Sequence, residues 1–203
     1  MELLTAALVA FVAIVPVELP DKTFVATLVL STRYRPLPVY LGVLAAFGVQ
    51  CLIAVLAGTL VSQLPRQPVA FVAAALFAIG AVVLVRGARK GEEISEEQAQ
   101  DEYAGKITDE RPGWRAALTS FLILFTAEWG DLSQLLTAGL VASGRPAVPV
   151  FFGSWAGLAL VSGLAILLGR WLLKRVKLSL VRYVGATVCL ILAIITVIEA
   201  VTA

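Results

Sequence analysis

Four carboxylates stand where carboxylates are rarely placed. Glu18 and Asp21 lie inside an apolar run at 3–30, and Glu128 and Asp131 lie inside another at 116–142. Within each pair the spacing is three residues, so an unbroken helix puts both acids on one face. A charged side chain at bilayer depth costs about 2.5–3.5 kcal/mol on the insertion scale. A chain that carries two such pairs in matched positions is expected to use them. The plainer reading is that they tie helices together through Lys22 and hydroxyl partners, and the duplication weighs against it.

The neighbours of the acids point to the chemistry. Thr23, Ser133 and Gln134 add hydroxyl and amide oxygens beside the carboxylates. Pro20 removes a helical hydrogen bond from the carbonyl of Pro16, and Gly130 weakens the second helix at the matching place. Irregular backbone at membrane depth is tolerated where it lines a cavity, and its freed carbonyls can bind a cation. An all-oxygen set of this kind suits a hard divalent ion: Ca²⁺, Mn²⁺ or Mg²⁺. With Lys22 counted, the two motifs carry a formal charge of −3. One divalent ion and one proton bring that close to neutral, which is a basis for exchanging metal against protons. The chain has no His, so protons must ride on carboxylates, and a His-based zinc or copper site is excluded.

The elements that must position these residues are membrane spans. Mean hydropathy is +0.93, the composition of an integral membrane protein rather than a soluble core. Six apolar stretches approach the ~20 residues a bilayer crossing needs: 3–30, 38–61, 69–85, 116–142, 148–169 and 179–200. Short polar connections punctuated by Pro36, Pro38, Pro65, Pro68, Pro146 and Pro149 separate most of them. The long connection carries Glu92, Glu93, Glu96, Glu97, Asp101, Glu102, Asp109 and Glu110 and too few apolar residues to bury a core. It reads as an acidic cytoplasmic linker at 91–113 between a first repeat at 1–90 and a second at 114–203.

Charge orients the spans. With both termini outside, 13 of the 16 basic residues fall on the cytoplasmic side; only Arg66 and Arg145 face outward, and Lys22 lies within the membrane. No positive region precedes the first apolar run, which is therefore kept as a span rather than a signal peptide. The expected location is a bacterial cytoplasmic membrane.

The halves repeat at an offset of 110: Phe11 with Phe121, Glu18 with Glu128, Asp21 with Asp131, Thr23 with Ser133, Thr27 with Thr137, and Arg35-Pro36 with Arg145-Pro146. Three spans per half is an odd number, so the second half must sit upside down. The expected fold is an all-α membrane protein of six transmembrane helices built as a 3+3 inverted-topology repeat, with its site near the midplane.

Other features read as packing. Gly153-x-x-x-Gly157 matches Gly42-x-x-x-Ala46, a spacing that lets helices approach closely. Gln50 suits either a lining role or a helix–helix bond. Trp114, Trp171, Tyr34 and Tyr183 sit near span ends, as interface anchors do. Trp129 suits either a wall of the site or packing. Cys51 and Cys189 read as small buried hydrophobes.

The paired pattern Glu-x-Gly-Asp-(Lys/Arg)-(Thr/Ser), once per half, resembles the family of small Ca²⁺/Mn²⁺–proton antiporters that includes the Golgi transmembrane protein 165. The resemblance covers essentially the whole chain. Leu132 replaces the usual basic residue in the second copy, and Pro20 replaces glycine in the first. The resemblance implies metal ligation by Glu18, Asp21, Glu128 and Asp131, with Thr23, Ser133, Gln134 and Lys22 as additional ion-site or gating residues. It also implies export of Mn²⁺ by bacterial members.

The reading of the sequence is a secondary antiporter that moves Mn²⁺, or Ca²⁺, out of the cytoplasm in exchange for protons. The alternatives are an exporter of a cationic organic solute such as a basic amino acid, and a non-transporting membrane scaffold. An enzyme is disfavoured, since no nucleophile is paired with a base. No cofactor is expected beyond the transported ion, and no nucleic-acid partner at a net charge of +2. The bilayer, the metal and protons are the expected partners, with homo-oligomerisation left open. Glu199, outside both motifs, is expected to be nearly silent when neutralised.

Overall fold

A computed structural model describes residues 2–19, 22–90, 113–175 and 178–202. Every element among them is helical. They are α1 (Glu2–Glu18), α2 (Lys22–Arg33), α3 (Pro36–Val61), α4 (Arg66–Lys90), α5 (Gly113–Ala127), α6 (Leu132–Ala142), α7 (Ala147–Arg175) and α8 (Leu178–Thr202). The acidic linker expected at 91–113 lies outside the described residues except for Gly113.

Four segments are long and apolar enough to cross a membrane: Pro36–Val61, Gln67–Arg89, Ala147–Leu168 and Ser179–Thr202. The chain is a multi-pass membrane protein. The expected first and fourth spans are not single helices. α1 and α2 together are apolar enough for a fifth span, with their axes bent by 71°. α5 and α6 are shorter apolar helices separated by residues 128–131. In the second place the apolar run continues through a short polar interruption, 128–131, that the backbone does not follow helically.

Local chemistry sets the helix ends. Pro36 opens α3 at a position that needs no N–H donor, behind Arg35 in an extended conformation. α6 ends in a Schellman arrangement. Gly144 takes φ +94, its N–H donates to Val141 O (3.0 Å), and Arg145 N–H donates to Leu140 O (3.2 Å). The left-handed turn sends the chain back into α7 within five residues. The membrane helices also outlast their apolar cores: α4 runs on through Arg86 and Arg89, because a helix satisfies its own backbone as it leaves the hydrocarbon.

The packing crosses between the halves. α1 lies along α7, and α5 lies along α3; α2 rests on α7, and α6 rests on α3. The pairs α4–α8 and α3–α7 join the halves directly. Small residues permit the closest approaches. A Cβ on Gly153 would strike the carbonyl oxygen of Ala7, and one on Gly42 would strike that of Ala117. The two glycine motifs are therefore spent inside the chain, on α1 and α5. Between α3 and α7, Trp155 Nε1 donates to Leu44 O (2.9 Å) and Tyr40 Oη donates to Ala159 O (3.1 Å). Large apolar side chains that stay exposed, such as Leu52 and Leu56 on α3 and Ile191, Ile194 and Ile198 on α8, face outward, as lipid-facing positions do. Tyr34, expected as an interface anchor, is instead 7% exposed and turned into the core.

Candidate ion site at two broken spans

The second motif is described in full. α5 stops at Ala127, and Gly130 takes φ +79, a left-handed conformation that glycine adopts without strain. α6 then starts with Asp131 as its N-cap. Asp131 Oδ2 accepts from Ser133 N (3.4 Å) and from Ser133 Oγ (3.2 Å). The expectation that Glu128 and Asp131 share one helical face is thus corrected. The helix ends between them, and Asp131 belongs to the start of the next one.

Gln134 braces the break from both sides. Its Nε2 donates to Glu128 O (2.7 Å), and its Oε1 accepts from Gly130 N (3.2 Å). Gln50 reaches across from α3 and donates to Phe125 O (3.2 Å), one of the carbonyls that the end of α5 leaves over. Gln50 is thereby a helix–helix tie at the break. Glu128 itself is 7% exposed. Trp129 is 61% exposed and set edge-on to Phe125, so it does not enclose the acid.

In the first motif, Glu18 is the last residue of α1 and 1% exposed. It lies within electrostatic reach of Cys51 on α3. Asp21, Pro20 and the side chain of Lys22 lie outside the described residues. Past them, residues 23–30 of α2 are buried on every side. Thr23 and Thr27 lie one turn apart, and their Oγ1 atoms are buried without a hydrogen-bond partner among the described residues.

The broken spans meet each other. α1 packs against α6 and α2 against α5, so the helix ending on Glu18 touches the helix that Asp131 caps. Among the described residues no three acidic or cysteine side chains already form a metal cluster. What the arrangement offers is a buried glutamate at the end of α1 and another just past α5, with hydroxyl, amide and backbone oxygens in the same motifs: hard donors for a hard cation. The sequence did not single out Ser154. Its hydroxyl is fully buried and bonded to that of Thr137 (3.0 Å); a lone serine in an apolar run carried no signal.

The family model described as "Divalent cation/proton antiporter GDT1" matches residues 6–92 and 116–203. The chain belongs to this family. The two matched segments contain one broken span each. GDT1-like protein sll0615 of Synechocystis sp. is 28% identical over 201 residues, spanning 96% of this chain and 97% of the relative. Protein PAM71, chloroplastic, of Arabidopsis thaliana is 30% identical, spanning 95% of this chain and 56% of the relative. GDT1-like protein 1, chloroplastic, of Oryza sativa subsp. indica is 30% identical over 94% of this chain and 61% of the relative. The chain thus spans nearly all of the Synechocystis protein and well under two thirds of these two chloroplastic ones. No solved structure matches the chain. As a GDT1 member it is a membrane transporter of the cation/proton antiporter class.

Proposed function

We propose that this antiporter exchanges Mn²⁺, with Ca²⁺ as the alternative cargo, for protons, and that Glu18, Asp21, Glu128 and Asp131 are its metal-binding carboxylates. The observation that carries the reading is the pair of interrupted spans in contact with each other, each with a buried glutamate at the end of its leading helix. Hydroxyl and carbonyl oxygens complete the set, and the buried Thr23 hydroxyl has no hydrogen-bond partner among the described residues.

The architecture proposed around the site is six spans in a 3+3 inverted repeat, with spans one and four broken at their acids. The crossed packing supports it, since its main cross-half contacts come in matched pairs: α1 on α7 with α5 on α3, and α2 on α7 with α6 on α3. Both termini are placed outside and the linker in the cytoplasm of a cell membrane, on the distribution of basic residues. Transport runs outward for the metal and inward for protons.

Metal and protons compete for the same oxygens, because a carboxylate must be deprotonated to ligate. A carboxylate that has released metal toward acid takes up a proton, which restores the charge balance for the return. Counter-flow in proteoliposomes with an imposed pH gradient tests this. Acidifying the metal-loading side raises the apparent KM for Mn²⁺ with little change in maximal rate, and an opposing proton gradient accelerates export. Mn²⁺ flux indifferent to pH on both sides overturns the antiport mechanism.

A further inference from the structure

Away from the helix breaks, a cavity of about 420 Å³ opens between the C-terminal ends of α3, α6 and α8 and the first turn of α4. Its polar lining is Ser62, Gln67, Ser143, Thr196 and Glu199. In the topology proposed above this is the outer end of the molecule. None of these residues belongs to either acidic motif.

Its electrostatics favour a cation. Three helices turn their C-terminal ends, the negative ends of their dipoles, toward it. The last turns of α3 and α6 are closed by capping bonds, such as Ser62 N–H to Gly58 O (2.9 Å) and Gly144 N–H to Val141 O (3.0 Å), so the dipoles and not free carbonyls supply the bias. Only α4 presents an N-terminus, and one of its early donors is already engaged, Val69 N–H with Pro65 O (3.4 Å). Glu199 adds a full negative charge on the lining. Arg145, two residues beyond Ser143, is not among the residues that line it. The basic character of the opposite end sharpens the point. At the repeat offset of 110, the places of Thr196 and Glu199 are held in α4 by Arg86 and Arg89.

We infer that this outer cavity is a second cation site, which holds a hydrated divalent ion at Glu199 on its way between the outer solution and the carboxylates at the helix breaks. The route has a physical length: α6 runs from Asp131, its N-cap, to Ser143, its C-cap on the cavity wall, about 18 Å at a rise of about 1.5 Å per residue. The volume leaves room for an ion that keeps its water, and hydroxyl and amide groups suit the water shell rather than the bare metal. This inference rests on the proposed cation transport for its place in the cycle, but binding at the cavity stands or falls separately.

The test separates the two. A Ser143→Cys variant of the full chain, reconstituted with its outer face exposed, is labelled with an impermeant thiol reagent while Mn²⁺ or Ca²⁺ alone is titrated in. Cys51 and Cys189 are buried and give little background. The expected result is protection by either ion, with the half-protecting concentration raised about tenfold by Glu199→Gln, the effect of removing one charge a few ångströms from a divalent ion in a watery site. In transport, and against the near silence that the sequence alone led one to expect of Glu199, Glu199→Gln raises the KM for metal offered from outside by a similar factor and leaves the KM from inside unchanged. Ser62→Cys, on the opposite wall, serves if Ser143→Cys does not insert. Protection in the absence of any metal flux upholds the cavity and sinks the transport reading. Equal protection with and without Glu199, or none at all, overturns the site even where transport is robust.

Discussion

The two broken spans carry the same acids and solve different problems. In the second, every motif hydroxyl is spent. Ser133 Oγ donates to Asp131 (3.2 Å), Thr137 donates to Ser133 O (2.8 Å) and is bonded to Ser154, and Gln134 closes the break from both sides. In the first, the matching Thr23 and Thr27 hydroxyls are buried with no such partner among the described residues. Two substitutions across the repeat accompany the difference. Val43 stands where the second half has Ser154, the partner of Thr137, counting from the paired glycines Gly42 and Gly153, and Phe24 stands where it has Gln134, the brace of the break. Duplication kept the charged residues and let their surroundings diverge. The second break is stabilised by its own side chains. The first has two buried hydroxyls without a partner among the described residues, which an arriving ion would satisfy.

The largest expected effect tests what the two breaks share. Glu18→Gln and Glu128→Gln each abolish Mn²⁺ counter-flow while the protein still inserts, since each removes an anionic ligand from a buried site. Normal flux after neutralising either one ends the idea of a joint site. Asp131 allows a finer cut. Asn also caps helices well, so Asp131→Asn removes the charge without the cap, whereas Asp131→Ala loses the cap too and costs about 0.5–2 kcal/mol more in stability. Thermal unfolding beside flux reads the two losses apart.

Next in size is the crossed packing that brings the breaks together. Gly153→Ala and Gly42→Ala each push a Cβ into a backbone carbonyl that cannot turn aside, and each is expected to destabilise by about 1–3 kcal/mol. Gly163→Ala, whose Cβ would sit 3.7 Å from the Tyr40 hydroxyl, is the control and should be mild. Equal tolerance at all three positions, measured by detergent-resistant folded yield, would break the equivalence of the α1–α7 and α5–α3 contacts.

The smallest effects sharpen the difference itself. Thr137→Val strands the buried Ser154 hydroxyl and should lower stability by about 1–3 kcal/mol. Thr23→Val removes a hydroxyl that has no hydrogen-bond partner among the described residues, and should leave stability unchanged or improved while Mn²⁺ affinity falls. If instead Thr23→Val destabilises and Thr137→Val does not, the assignment of open and satisfied sides is reversed.

Much of this was legible in the residues. Apolar runs located the four long helices, missing mainly their ends, because Arg86, Arg89, Arg170 and Lys174 are charged yet remain helical. Pro20 and Gly130 marked where the remaining two runs would be weak. Hydropathy could not show that the second run stops being a helix between Ala127 and Leu132, since a few polar residues barely move an average taken over about 20. The same-face reading of Glu128 and Asp131 failed for that reason. Nor could spacing say that α1 rests on α7 rather than on its own half. Gly42 and Gly153 announced a close approach without naming the partner, and Gln50 announced a hydrogen bond without naming Phe125.

The crossed packing also bears on how such a chain is made. α1 leaves the ribosome well before the helix that shelters it, α7, which begins only at Ala147. Until then Glu18 is a newly synthesised acid in a bilayer without its final neighbour. The helix meets that interval with its own composition: nine Leu, Val, Ile and Phe residues precede Glu18 in α1. On the insertion scale they contribute together about 3–5 kcal/mol, enough to match the roughly 2.5–3.5 kcal/mol that one buried charge costs. The apolar length of α1 is therefore a requirement of synthesis as well as of the finished fold.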